Sequence, residues 1–310
     1  MRSMDRALVA GIAILAGFTL APRAQPHDKA QLPLIAFERA GPTNPPPRLF
    51  VIRPNGSNER RIATGDNEAF TDPAWSPDGK RLAFVWFNGD RFPTRLTVSD
   101  PDGSHRRVIT AATGSLTSIE LADPTWAPDG RRLAFSLNIR GTFEIFVVNI
   151  DGTGLKRLTR NRVHDVDPAW SPDARSILFG RSVDQFVDGA YFLFSMNADG
   201  TLQRRLLRFR SGQPAWSPDG SKIAFASAVS GHPAVYVARA DGSDARRLTG
   251  GSAQNYAPAW SPDGRRIAFQ SDRDGNFELY TMTIDGGDQR RLTRSPRWEL
   301  NPSWQPRVPR

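Results

Sequence analysis

The sequence predicts an all-β fold: a six-bladed β-propeller with four antiparallel strands per blade. Three observations carry that expectation. The segment WSPDG recurs at Trp75–Gly79, Trp216–Gly220 and Trp260–Gly264, with WAPDG at Trp126–Gly130, WSPDA at Trp170–Ala174 and a sixth Trp at Trp304. A turn followed by a basic pair alternates with it: NGSNERR (55–61), DGSHRR (102–107), DGTGLKR (151–157), DGTLQRR (199–205), DGSDARR (241–247) and DGGDQRR (285–291). The 26 Gly and 25 Pro among 310 residues also punctuate the chain too often for long helices. Successive Trp landmarks lie 51, 44, 46, 44 and 44 residues apart, the period of a four-stranded blade.

The N-terminal segment comes first. Arg2 and Arg6 precede an apolar run of 14 residues, Ala7 to Leu20. A bilayer span needs about 20 residues, so the run suits the apolar region of a signal peptide. Residues 1–24 are expected to be that signal peptide and 25–31 a short linker. Cleavage after Ala24 puts Pro22 at the −3 position and cleavage after Ala21 puts it just beyond the cut, so the site stays open, and an uncleaved anchor is the alternative. Loss of residues 1–24 lowers the net charge from +9 to +7, and no second apolar run of that length follows. The bulk of the chain is expected to be soluble and exported, with no stable membrane span after signal removal. The absence of Cys excludes disulfides, thiolate zinc sites, Cys nucleophiles and a lipoprotein anchor. Stability then rests on a large core.

Residues 32–306 read as the propeller and 307–310 as a tail. In each repeat a first strand runs into Trp, as in DPAW (72–75), and Ser-Pro-Asp-Gly turns the chain, with Pro setting φ and Gly taking the left-handed position. An apolar second strand follows, such as LAF (82–84) or IAF (267–269), then a β-rich third, such as FEIFVV (143–148), a second turn and an RRLT-type fourth strand. The chain opens with second-to-fourth strands, LIAF (34–37), LFVI (49–52) and RRIA (60–63), and ends with an orphan first strand at Asn301–Trp304. Joining the two closes the ring and leaves no open sheet edge.

The repeat DPAWSPDGKRLAF (72–84), with its DG turn and RRLT strand, resembles the WD40-like (PD40) repeat of TolB-type β-propellers, over about residues 32–306. The resemblance implies a periplasmic, protein-binding role in cell-envelope organisation. Complete members carry an α/β domain before the propeller. Only a few residues separate the apolar segment from the first repeat here, so that domain is not expected. Ala174 also stands where the other turns carry Gly.

Chemical signatures are sparse. There is no G-x-S-x-G elbow and no H-E-x-x-H pair, and of four His only His164 lies in a loop expected near the axis. No catalytic residue, metal site or cofactor is expected. The repeated Trp residues read as packing between blades, and the SPDG carboxylates as turn caps. The basic pairs, one per outer strand, spread charge around the rim and blunt edge pairing. Nucleic-acid binding wants a focused basic stripe, so no nucleic-acid partner is expected. The reading is a non-catalytic module, a monomer, that binds an envelope protein. The alternative is an envelope carbohydrate-binding protein, or a carbohydrate-active or hydrolytic enzyme using the channel mouth.

Function tends to sit on variable loops. The connections Glu38–Arg48, Trp86–Arg95, Thr110–Asp123 and Arg181–Ala190 differ most between repeats, and they share one face. Trp86, Phe87, Phe92 and Trp298 are expected partly on it. The residue before each strand-one Pro is Asp72, Asp123, Asp167, Gln213, Ala257 and Asn301. As the start of the innermost strand, this position should encircle the axis as a polar funnel, with Asp165, His164, Tyr256 and Glu299 adjacent. The plainer reading is that each Asp bonds nearby backbone amides. The change from Asp to Gln and Ala argues against it, because a structural need should act in all six repeats.

Overall fold

Ser-Pro-Asp-Gly does in space what its residue types dictate. At the first complete copy the Ser76 hydroxyl donates to Asp78 Oδ1 (2.5 Å), Gly79 N donates to Ser76 O (2.8 Å), and Gly79 takes φ 66°. The computed structural model describes residues 33–41, 46–62, 68–88, 94–109, 120–183 and 191–307. The expected signal peptide, the linker, Phe92 and parts of all four variable connections lie outside the described residues.

The strands follow the repeats. They are β1 (Ile35–Ala40), β2 (Arg48–Ile52) and β3 (Arg60–Arg61); β4 (Glu68–Trp75), β5 (Leu82–Asn88), β6 (Arg95–Ser99) and β7 (Arg107–Val108); and β8 (Leu121–Trp126), β9 (Arg132–Ile139), β10 (Thr142–Asn149) and β11 (Lys156–Arg157). The second half holds β12 (Asp165–Trp170), β13 (Ser176–Ser182), β14 (Tyr191–Asn197) and β15 (Arg204–Arg210); β16 (Gly212–Trp216), β17 (Lys222–Ser227), β18 (Ala234–Arg239) and β19 (Arg246–Arg247); β20 (Asn255–Trp260), β21 (Arg266–Ser271), β22 (Glu278–Thr283) and β23 (Arg290–Arg291); and β24 (Trp298–Trp304). They form six four-stranded antiparallel sheets. The last strand, β24, pairs with β1, Trp304 opposite Ile35, and completes the first blade.

The fourth strand is shorter than RRLT suggests, with two residues in every blade except the fourth. The Thr ends it: Thr159, Thr249 and Thr293 offer side-chain Oγ1 to Ile145 N, Val235 N and Leu279 N, in place of a further backbone rung. The basic pairs do more than guard an edge. Arg246 donates to Ile284 O and Asp285 O, and Lys156 to Asp199 O, each on the next blade. Their neighbours fold back, Arg157 Nε onto Thr159 O and Arg247 Nε onto Thr249 O.

Between blades the core is continuous. Trp260 packs with Ile267 and Phe269 of its own blade and with Val235 and Val237 of the preceding one. Indole N–H groups reach back as well: Trp126, Trp216 and Trp260 donate to Ala74 O, Ala169 O and Ala215 O at 3.0, 3.2 and 3.2 Å. The closing seam repeats the apolar packing, with Trp304, Ile35, Phe37 and Ile52 against Ala268, Leu279 and Leu292. Glycine is needed where the DG turn meets the neighbouring blade. A Cβ on Gly286 (φ 92°) would lie 2.6 Å from Leu248 O.

Two stability outcomes follow. A chain ending at 297 loses β24 and its buried Trp304, so it should lose at least the ~3–5 kcal/mol of a Trp truncation; equal melting of the two chains would mean that closure adds nothing. Ala174 sits at φ 61° in its turn. Ala174→Gly should therefore stabilise by about 1 kcal/mol, read as a rise of about 2 °C in Tm.

Candidate functional site

The inner strand of every blade carries a bulge at the residue before Pro. Asp72, Asp123, Asp167, Gln213, Ala257 and Asn301 have φ of 53°, 54°, 54°, 52°, 48° and 51°, and the strand register shifts there. Asp and Asn tolerate this left-handed region better than most residues, which accounts for their prevalence. The six residues and their prolines line one cavity of about 160 Å³ on the axis. They do not begin the strand as expected. Asp72 lies four residues inside β4 and Asp167 two inside β12, so the ring sits within the channel.

The ring is a relay of acceptors. Each side chain takes the bulge N–H of the next blade: Asp123 Oδ2 from Asp167 N (3.3 Å), Asp167 Oδ2 from Gln213 N (3.3 Å) and Gln213 Oε1 from Ala257 N (3.0 Å). Asp72 likewise accepts from Asp123 N. Ala257 has no acceptor to offer, and Gln270 of β21 supplies it, its Oε1 taking Asn301 N at 2.9 Å. Asn301 turns its amide to donate to Asp72 Oδ1 (2.8 Å), and Glu38 of β1 takes Asp72 N instead. The structural need is thus met in all six blades, and the change from Asp to Gln and Ala is compensated from the second strand. That corrects the expectation that uneven composition argues against a structural role.

Burial and mutual repulsion raise the ring carboxyls above the usual carboxylate range. Glu38 is pushed up to about 8 by burial and by the charge of Asp72, and Asp72 to about 7 by burial and by Asp123. Burial also raises Asp123, and burial with the Asp123 and Asp72 charges holds Asp167 well above the usual carboxylate range.

The other expected site residues separate from the ring. Asp165 is fully buried in an ion pair with Arg181 (2.7 Å) and also accepts from Asn161 Nδ2. Glu299 is fully buried against Arg39 (2.6 Å), and burial still pushes it up to about 7. His164 Nδ1 faces Phe143 N at 3.3 Å, its ring beside that of Phe143. Tyr256 lines a second cavity of about 280 Å³ that also touches Asp167 and Gln213. Trp86 is half-buried under Arg95, whose guanidinium lies 4.6 Å from the ring, and Phe87 is also half-buried. Trp298 is 39% exposed. Glu38, Ser136 and Gln270 were not singled out from the sequence. Their signal was present: they are the polar residues directly after the apolar second-strand triplet.

Ring protonation fixes the sign of a pH effect. In the unfolded chain these carboxyls titrate near ~4. The folded state therefore binds more protons from there up to about 8, and stability falls as pH rises through that window. Below it the turn carboxylates act the other way, with Asp219 held down at about 2 by the Ser217 hydroxyl and Ser221. Melting should peak near pH ~5 and decline toward pH ~8. Asp72→Asn keeps the acceptor for Asp123 N and should flatten the decline; an unchanged slope would detach it from the ring.

A family model described as the TolB beta propeller domain matches residues 35–208 and 205–309. The chain is 34% identical over 116 residues to the Tol-Pal system protein TolB of Desulfosudis oleivorans, covering 36% of this chain and 24% of that protein. It is 28% identical over 131 residues to dipeptidyl-peptidase 5 of Porphyromonas endodontalis, covering 42% of this chain and 17% of that protein. The matches thus span a quarter or less of those relatives. The crystal structure of TolB from Acinetobacter baumannii superposes with a TM-score of 0.75 at 22% identity, over 88% of this chain and 67% of that one. With the family model matched across both halves of the ring, the chain belongs to the TolB β-propeller domain family.

Proposed function

We propose that the chain is an exported, non-catalytic module that binds a protein partner in the cell envelope. The observation that carries this reading is the axial opening. Three carboxyls and two amides ring it, no Lys or Arg is among its lining residues, and the chain around it has a net charge of +9. The burial and mutual repulsion that raise these carboxyls are relieved by a basic group of a partner and worsened by an acidic one. The relative named as a Tol-Pal system protein supports the envelope setting. Two first residues of the basic pairs, Lys156 and Arg246, are spent on backbone carbonyls of the neighbouring blade, and Arg106 and Arg290 on carboxylates, which supports a protein partner over nucleic acid. Among the described residues no helix is long and apolar enough to cross a membrane.

A second reading, glycan binding or hydrolysis at the same opening, draws on the tyrosines beside Asp167. Stoichiometric metal in the purified protein, or turnover on a glycan panel, would favour it.

The test is cross-linked capture from the native envelope with the full chain and with Trp298→Ala. This residue is 39% exposed at the start of the closing strand. One envelope protein should be enriched, and the substitution should reduce its capture about tenfold without lowering Tm, the effect of losing one exposed aromatic contact. No enrichment over beads counts against the reading, as does equal capture by the variant.

A further inference from the structure

The junction of blades four and five departs from the other repeats in two ways that act together. From the outer-strand Leu to the next repeat Trp there are 12 positions for Leu158–Trp170, Leu248–Trp260 and Leu292–Trp304, but ten for Leu206–Trp216. The shorter connector leaves one residue between β15 and β16. Small residues also gather there. The position before the ring residue is Thr71, Ala122, Val166, Tyr256 or Leu300 in the other blades and Gly212 in the fifth. The second-strand position facing the ring is Glu38, Val85, Ser136 or Gln270 in blades one, two, three and six, but Gly180 and Ala226 in blades four and five.

Neither glycine is demanded by its backbone. Gly180 and Gly212 lie outside the left-handed region, and an added Cβ would come no closer than 3.5 and 3.7 Å to any neighbour. Gly212 and Ala226 supply room, and Gly180 lies under Tyr191, whose side chain lines the space. The result is the cavity of about 280 Å³, lined by Asp167, Tyr191, Arg210 and Tyr256 and reaching the axis at Asp167 and Gln213.

Asp167 has unused hydrogen-bonding capacity. Asp167 Oδ2 receives Gln213 N, while Asp167 Oδ1 has no hydrogen-bond partner among the described residues. Gln213 spends Oε1 on Ala257 N. Arg210 is exposed at the lip, with no ion pair among the described residues. A carboxyl enclosed beside two tyrosine rings suits a cation on an alkyl stem: the stem packs on the rings and the charge meets the carboxylate. The Arg210 charge opposes this from a solvated position, where it is screened more than the enclosed pair is.

We propose that this cavity is a specificity pocket for a lysine side chain of the protein partner, seated between Tyr191 and Tyr256 with its ammonium on the Asp167 carboxylate. The assignment rests on the protein-binding reading above. Burial and the facing Asp123 and Asp72 raise Asp167 well above the usual carboxylate range, so seating an ammonium on its carboxylate displaces a proton. Binding therefore releases that proton to solvent and tightens as pH rises. Arg210, Tyr191 and Tyr256 are the other charged or titratable groups lining the cavity.

The experiment is a 1H–15N NMR titration of the full chain with Nα-acetyl-lysine methylamide, with the norleucine and glutamate analogues as controls. Saturable shifts are expected at Gly212, the Gln213 side-chain amide and Tyr256. Asp167→Asn, which keeps an acceptor for Gln213 N, should weaken binding about tenfold or more. Ala226→Gln, which imports the bulk that Gln270 gives blade six, should abolish it with Tm retained. Arg210→Ala should leave binding equal or tighter. The pocket assignment is overturned by shifts that never localise there, by equal binding of norleucine, or by a glutamate analogue that depends on Arg210. If the lysine probe fails while Trp298-dependent capture of an envelope protein stands, only this inference falls. If the probe binds and no protein is captured, the protein-binding reading falls and the pocket remains an amine site.

Discussion

Six inner strands converge on one axis, and each must turn a non-glycine residue into left-handed backbone just before a proline. The turn aims a backbone N–H at the neighbouring blade in a place with little water to receive it. An unmet N–H there costs about 1–3 kcal/mol, so six of them would rival the net stability of a domain. The acceptor relay removes that cost. It also means that no blade completes its own inner strand, because the oxygen it needs belongs to the blade before it or to a second strand nearby. Closure by β24 is therefore a condition for the relay as well as for the core: Asn301 donates its backbone N–H to Gln270 Oε1 and its side-chain amide to Asp72 Oδ1 across the seam.

The fold was legible because its determinants are local and repeated. Trp75, Trp126, Trp170, Trp216, Trp260 and Trp304 mark one position six times, and the SPDG and DG turns are short-range chemistry that any copy reveals. The orphan strand before Trp304 likewise gave away the closure. The ring was half legible. Its members follow from the residue before Pro, but their role does not, since the compensation is non-local. Ala257 looks like a gap until Gln270 is seen to bond the N–H that Ala257 leaves unserved, and Glu38 is invisible as a ring member without the bulge that brings Asp72 N to it. Sequence proximity misled at Asp165 and Glu299. Two residues from the ring along a strand is the same side of the sheet only in regular backbone, and the bulge breaks that alternation. Both carboxylates instead meet arginines of adjoining second strands, Arg181 and Arg39.

The basic composition has a similar history. On sequence grounds alone, a pair of cations on each outer strand reads as protection of an edge. In space Lys156 and Arg246 bond the next blade, as does Arg107, while Arg157 and Arg247 fold back on their own strand's carbonyls. A two-residue outer strand leaves such carbonyls without rungs, so the arginines finish a sheet that the Thr has cut short. Charge that completes backbone hydrogen bonding is less available to a polyanion, which is why net charge is a poor guide to partner here.

A repeat architecture also supplies its own control. Where all six blades agree, the residue answers a need common to all blades, and no ligand has to be invoked. Where one junction departs in several positions, with Gly212 and Ala226 lining one space and Gly180 seating Tyr191 beside it, the departures set that junction apart. A smaller side chain there forfeits contacts that the neighbouring junctions keep. Gly180, Gly212 and Ala226 come from three different strands and two blades, and none is required by φ or by crowding. Their coincidence around Asp167 therefore separates that carboxyl from Asp72 and Asp123. The latter two are packed by Thr71 and Asn301 and by Ser136 respectively, and serve the ring. Asp167 serves the ring with one oxygen and also lines a space large enough to hold something else.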